Sequence, residues 1–121
     1  MIFGAELLLK VARDPKRDVY FRRRAVDALS AMDAEIPTDL DDHPLLGLSV
    51  AAARYRKEPT EALKGRIFTA LEDEHQADDA AAYCVELGLR DALPLIEAQA
   101  GKRKDHYSGP LLAKAYLALQ R

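Results

Sequence analysis

The sequence predicts an all-α protein of about seven helices, arranged as antiparallel helix pairs stacked side by side in a single domain covering residues 1–121. Three observations carry this. Apolar residues recur at the helical period almost throughout, and no segment alternates apolar with polar as a half-buried strand would. Ala and Leu dominate a composition with six Gly, six Pro and no Trp, and unbranched side chains lose little freedom in a helix. One apolar face pattern also returns three times along the chain.

The elements follow in order. Periodicity places helices at roughly 3–13, 17–33, 43–57, 60–74, 78–88, 91–101 and 108–120. Asp14-Pro15 and Glu58-Pro59 each stop one helix and start another, and Ile36-Pro37-Thr38-Asp39 reads as a loop. Gly88 suits the position just past a helix end, Asp91 the cap of the next helix, and Pro94 that helix's first turn. Gly101 ends that helix, and Ser108 is placed to cap the last one.

The repeated face comprises Phe21, Ala25, Ala28 and Leu29, then Leu63, Ile67, Ala70 and Leu71, then Leu111, Ala115, Ala118 and Leu119. Each set stands at i, i+4, i+7 and i+8, one side of a helix. Arg24, Arg66 and Lys114 agree in charge between the sets, and Val26, Phe68 and Tyr116 agree in bulk. An apolar helix ending in a basic turn precedes each set.

This unit, with its Arg-x-x-x-Ala-Leu ending, resembles the HEAT-like helical repeats. The stretch Val85-Glu86-Leu87-Gly88-Leu89-Arg90-Asp91-Ala92-Leu93-Pro94-Leu95-Ile96-Glu97 is similar to that family's helix, Gly turn and Ala-Leu-Pro helix start. The resemblance covers most of the chain and implies an α-solenoid-like, right-handed stack of about three pairs, the last helix closing the end. The spacing of the copies is uneven, and the helix at 78–88 stands as an insertion.

Stacked pairs would sort charge by edge. Turns inside the pairs are basic: Arg13, Lys16 and Arg17; Arg54, Arg56 and Lys57; Lys102, Arg103 and Lys104. Links between pairs are acidic: Asp33, Glu35, Asp39, Asp41 and Asp42; then Glu72, Asp73, Glu74, Asp78 and Asp79. Cations at helix C-termini and carboxylates at N-termini complement the macrodipole, which suits the basic turns, Asp39 to Asp42 and Asp78 to Asp79 but does not explain Glu72 to Glu74.

With 121 residues, 49 % of them hydrophobic and 31 % charged, the chain suits one globular core. A net charge of −2 imposes no demand for nucleic acid or a membrane surface. Cys84 is the single cysteine; it excludes an intrachain disulfide and reads as a buried structural thiol. The N-terminus lacks a basic region and meets Glu6 early, unlike a secretory signal, and no apolar run reaches the length of a membrane span. A cytoplasmic protein is expected, and the richness in Ala, Arg and Asp points to a GC-rich bacterial genome.

No catalytic constellation is legible: phosphate-loop, dinucleotide and nucleophile-elbow patterns are absent. His43, His75 and His106 fall at loops, with no metal-ligand spacing. No cofactor or metal is expected, and neither is enzymatic activity. Arg22 and Arg23 read as solvated or partner-binding cations. Leu7, Leu8 and Leu9, behind Ile2 and Phe3, make the first helix apolar over a broad arc, which points to a partner, a dimer contact or a missing neighbour.

The expected function is a non-enzymatic protein–protein interaction module, a small bacterial adaptor. In a more specific form it is an inhibitor or immunity-type protein that covers a basic partner with Asp39, Asp41, Asp42, Glu72, Asp73 and Glu74. The alternative is binding of nucleic-acid backbone through Arg54, Arg56, Lys57, Lys102, Arg103 and Lys104. Tyr20, Tyr55 and Tyr107 are the expected aromatic anchors.

Overall fold

A computed structural model describes residues 2–40, 42–103 and 108–121, with the side chains of Ile2 and Phe3 left undescribed. What the sequence suggests for the side chains of Ile2 and Phe3, and for Asp41, Lys104, His106 and Tyr107, therefore lies outside what is described. Within them the chain is all-helical: α1 (Ile2–Arg13), α2 (Val19–Ala31), α3 (Pro44–Lys57), α4 (Glu61–Leu71), α5 (Ala77–Leu87), α6 (Leu93–Lys102) and α7 (Ser108–Gln120), with a 3-10 turn at Arg90–Ala92. No strand occurs among the described residues.

Local chemistry sets the boundaries. Asp18 caps α2 by accepting from the Tyr20 amide at 2.9 Å. His43 caps α3, its Nδ1 accepting from the Leu45 amide at 3.1 Å, while Pro44 occupies the first turn. Thr60 Oγ1 accepts from the Leu63 amide at the start of α4. Gly88 ends α5 at φ 67, where the following Leu89 amide reaches back to the Cys84 carbonyl at 2.9 Å.

Two residues expected as caps lie inside helical turns. Asp91 sits in the 3-10 turn, and its carboxylate takes Lys64 Nζ at 3.0 Å instead. Ser108 is a buried residue of α7, and its hydroxyl donates to Asp78 Oδ2 at 2.9 Å.

The chain divides into two compact units, Met1–Leu63 and Lys64–Arg121. In the first, α1 and α2 are antiparallel: Arg22 Nε donates to the Ala12 carbonyl at 2.9 Å, and Gly4 lies beside Met32. Residues 32–40 then return along the pair, burying Ile36 and Leu40, so that α3 starts where α2 starts. Arg22 meets Asp42 at that end, and Arg56 Nη1 donates to Ser30 Oγ at 2.8 Å at the other. Thus α2 and α3 run in the same sense, a departure from simple up–down alternation. Ala12, Ala25, Val26, Leu29, Ile36, Leu40, Val50 and Ala53 form the core here. Burial of each larger aliphatic chain contributes about 1.5–3 kcal/mol.

In the second unit, Asp78 in the first turn of α5 meets Ser108 at the start of α7. Arg90, just past α5, donates to the Gln120 carbonyl at the end of α7 at 3.1 Å. Therefore α5 and α7 are parallel, and α6 runs back between their ends. Ile67, Leu71, Cys84, Ile96 and Leu112 are fully buried.

The repeated face is not buried alike in its three copies. Ile67, Ala70 and Leu71 are buried, but Phe21 is 46 % and Leu111 52 % exposed, and Ala118 is exposed as well. The buried line of α7 runs instead through Ser108, Leu112 and Leu119.

Candidate functional site

Opposite charges expected on separate edges meet within each unit. Arg13 approaches Asp39 at 3.4 Å. Lys57 Nζ donates to the Ala34 carbonyl at 2.7 Å, with Asp33 Oδ1 at 3.6 Å. In the second unit, Arg103 Nη1 donates to the Glu74 carbonyl at 3.3 Å. The separation of charge by edge is therefore corrected at these points: basic turns adjoin acidic links at Arg13–Asp39 and Lys57–Asp33 in the first unit, and in the second Arg103 is close enough to Asp73 to help lower its pKa.

Several acidic residues have internal work. Arg22, 5 % exposed in its side chain, grips Asp42 through Nη1 to Oδ2 at 2.8 Å and Nη2 to Oδ1 at 3.0 Å. The hydrogen bonding from Arg22 holds the Asp42 carboxyl below the usual carboxylate range. Arg22 is thus a buried structural cation and not the solvated one expected.

Asp73 Oδ1 accepts from the His75 amide at 2.8 Å, and its Oδ2 from Gln76 Nε2 at 2.9 Å. The backbone hydrogen bond from His75 first, then that of Gln76, lowers its pKa. α4 stops at Leu71, so Glu72 to Glu74 form the turn leading into α5. Glu72 and Glu74 are exposed.

Of the basic residues, Arg56, Lys57 and Arg103 have internal acceptors as described, while Arg54 and Lys102 are exposed. Arg54 and Lys57 line an open cleft of about 380 Å³ with Glu35, Ile36, Glu58 and Leu63, in which the formal charges cancel. Tyr20 is 59 % exposed and Tyr55 half-buried.

The surface that sequence reasoning missed is apolar. Leu7 (56 %), Phe21 (46 %) and Met32 (40 %) are large hydrophobic side chains exposed on the α1–α2 hairpin. Phe21, Ala28 and Met32, at i, i+7 and i+11, share one side of α2; Gly4, Leu7 and Val11, at i, i+3 and i+7, share one side of α1. Gly4 stands next to Met32, a Cβ there lying 3.9 Å from Met32 Cε, so the two strips border the same inter-helix groove. Val11 and Ala28 are half-buried in it.

Tyr20, one residue from Phe21, is turned about 100° round the helix and lies outside the strip. The sequence held one clue to this surface, the breadth of the apolar arc on α1. It placed Phe21 in the repeated apolar face, and helical spacing defines a face without saying which element covers it.

Cations border the groove. The Arg17 guanidinium lies 5.6 Å from the Phe21 ring centroid and 3.4 Å from Asp14. Arg24 and Lys10 are exposed beside Phe21 and Leu7, and no acidic side chain among the described residues pairs with either. Glu6 is the carboxylate on the α1 rim.

Cys84 is buried, and burial pushes its thiol up to about 12, so it is neutral and unreactive in the fold. Among the described residues no group of three or more His, Cys, Asp or Glu side chains is gathered as a metal ion would require. Among the described residues no helix is long and apolar enough to cross a membrane.

No protein-family model matches the chain, no curated protein resembles it significantly, and no solved structure does so.

Proposed function

We propose that this chain is a non-enzymatic protein-binding module that works through the groove of its α1–α2 hairpin. The observation that carries the reading is the contiguous exposure of Leu7, Phe21 and Met32 on one side of that hairpin. Large apolar side chains scattered singly are ordinary, but a grouped strip with a charged rim marks an interaction surface. The antiparallel α1/α2 pair supports reading the scaffold as an irregular helical repeat of the HEAT-like kind, with the return loop before α3 as its departure.

The acidic edge has less in its favour as the contact surface, since Asp39, Asp42 and Asp73 are engaged within the fold. The same holds for nucleic-acid binding by the basic turns, where Arg56, Lys57 and Arg103 hold internal acceptors.

Photo-crosslinking tests the reading. A photoreactive amino acid is placed at Leu7, or as a control at exposed Ala98, and the protein is irradiated in the cells that make it. Covalent adducts to another protein are expected from Leu7 and not from Ala98, and Phe21→Asp should abolish them. Equal adducts from both positions, or none from Leu7, would overturn it.

A further inference from the structure

We propose that the partner presents an acid-flanked amphipathic α-helix to the hairpin groove, an inference that rests on the protein-binding reading and specifies its partner. Shape is the first reason. The strip runs from Phe21 to Met32, about 16 Å or three helical turns at 1.5 Å per residue. Gly4 and the half-buried Ala28, both small, lie along the line between α1 and α2, with the larger Leu7, Phe21 and Met32 exposed around them. Two antiparallel helices in contact leave a furrow along that line, and a third helix whose apolar side chains recur at i, i+4 and i+7 packs into it.

Charge is the second reason. Arg24 in α2 and Lys10 on the rim of α1 are exposed, and Arg17 stands just ahead of α2, beside Asp14. Carboxylates flanking the apolar side chains of a docked helix would meet these cations. The guanidinium over the Phe21 ring keeps one of those charges at the edge of the apolar contact.

The same charge disfavours a second copy of this chain. Two hairpins face to face bring Lys10, Arg17 and Arg24 against their own copies, with Glu6 and Asp14 the nearby carboxylates. The exposed apolar residues of α7, Leu111 and Leu117, neighbour Lys114 and Arg121, which are cationic as well. An anionic bilayer offers suitable charge but a flat surface, whereas the furrow between two packed helices fits a rod.

The test uses three probes on the full chain. The first is a fluorescein-labelled, helix-stapled peptide of about 18 residues, five turns, with Leu at i, i+4, i+7 and i+11 and Glu on both flanks. The second replaces every Glu with Lys. The third is vesicles of phosphatidylserine and phosphatidylcholine. Fluorescence anisotropy should show saturable micromolar binding of the Glu peptide and at least about tenfold weaker binding of the Lys peptide. Leu7→Asp and Phe21→Asp, both at exposed positions, should abolish binding. The double variant Arg17→Glu, Arg24→Glu should reverse the preference between the peptides.

Equal binding of both peptides, no binding of either, flotation with vesicles in place of peptide preference, or peptide-independent dimerisation in sedimentation would each overturn the inference. If peptides fail while Leu7 still crosslinks to protein in cells, the acid-flanked helix is wrong and the protein-binding reading stands. If peptides bind but Leu7 crosslinks nothing, the groove chemistry holds and the cellular reading falls.

Discussion

Arg22 and Asp42 form a two-pronged ion pair that ties the start of α2 to the start of α3, with Arg22 Nε closing onto the Ala12 carbonyl of α1. One guanidinium thereby joins three helices at a common end and fixes the same-sense arrangement of α2 and α3. Arg22→Ala leaves a buried carbonyl and a half-exposed carboxylate without their donors. A loss of about 2–3 kcal/mol is expected in urea unfolding, below the range for a fully buried pair because Asp42 is partly solvated. Asp42→Asn should cost less, since its amide oxygen still accepts one of the two bonds.

The pH dependence follows from Asp42 and Asp73. Both carboxyls are lowered in the fold from an ordinary 3.8, so the folded state binds fewer protons than the unfolded chain as acid is added. Their stabilisation is complete above the unfolded value and is lost as pH falls through the folded values. Melting temperature should therefore change little from these groups between neutral pH and about 5, then drop below about 4. The double variant Asp42→Asn, Asp73→Asn should flatten that acid limb.

Helix spans were legible from spacing, prolines and the Gly88 turn, because these are local signals. The direction of α3 was not, since it depends on a return loop whose Ile36 and Leu40 look like ordinary loop residues until they are seen packed. Arg22 sits in a run of three arginines that gives no sign which one is buried. Phe21 and Leu111 carry helical apolar spacing yet have no neighbour to cover them. Asp33, Asp39 and Asp73 read as an acidic edge, although two of them pair with cations distant in sequence and the third folds its own turn.

The helix ends at Asp33 and Gly88 make a matched pair of left-handed turns, φ 55 and φ 67, each with an amide reaching five residues back: Ala34 to Leu29 and Leu89 to Cys84. Gly88→Ala should lower stability by about 1–2 kcal/mol, because a Cβ is disfavoured there. Asp33→Gly removes that same cost from α2 and should be neutral or stabilising by up to about 1 kcal/mol. Calorimetry on the two variants should give shifts of opposite or near-opposite sign.

Cys84 supplies a probe of opening. A thiol pushed up to about 12 by burial should resist Ellman's reagent in the native protein at pH 8 and react completely in denaturant. Fast native reaction would mean that the core of the second unit is open.

The central claim, that the α1–α2 groove is the binding surface, is tested most directly by titrating isotope-labelled protein with the Glu-flanked peptide and following backbone amide shifts. Changes should concentrate between Gly4 and Val11 and between Arg17 and Met32, while amides of Glu72 to Glu74 and Arg54 to Lys57 stay in place. Shifts confined to those acidic or basic turns, with the hairpin unmoved, would contradict the account.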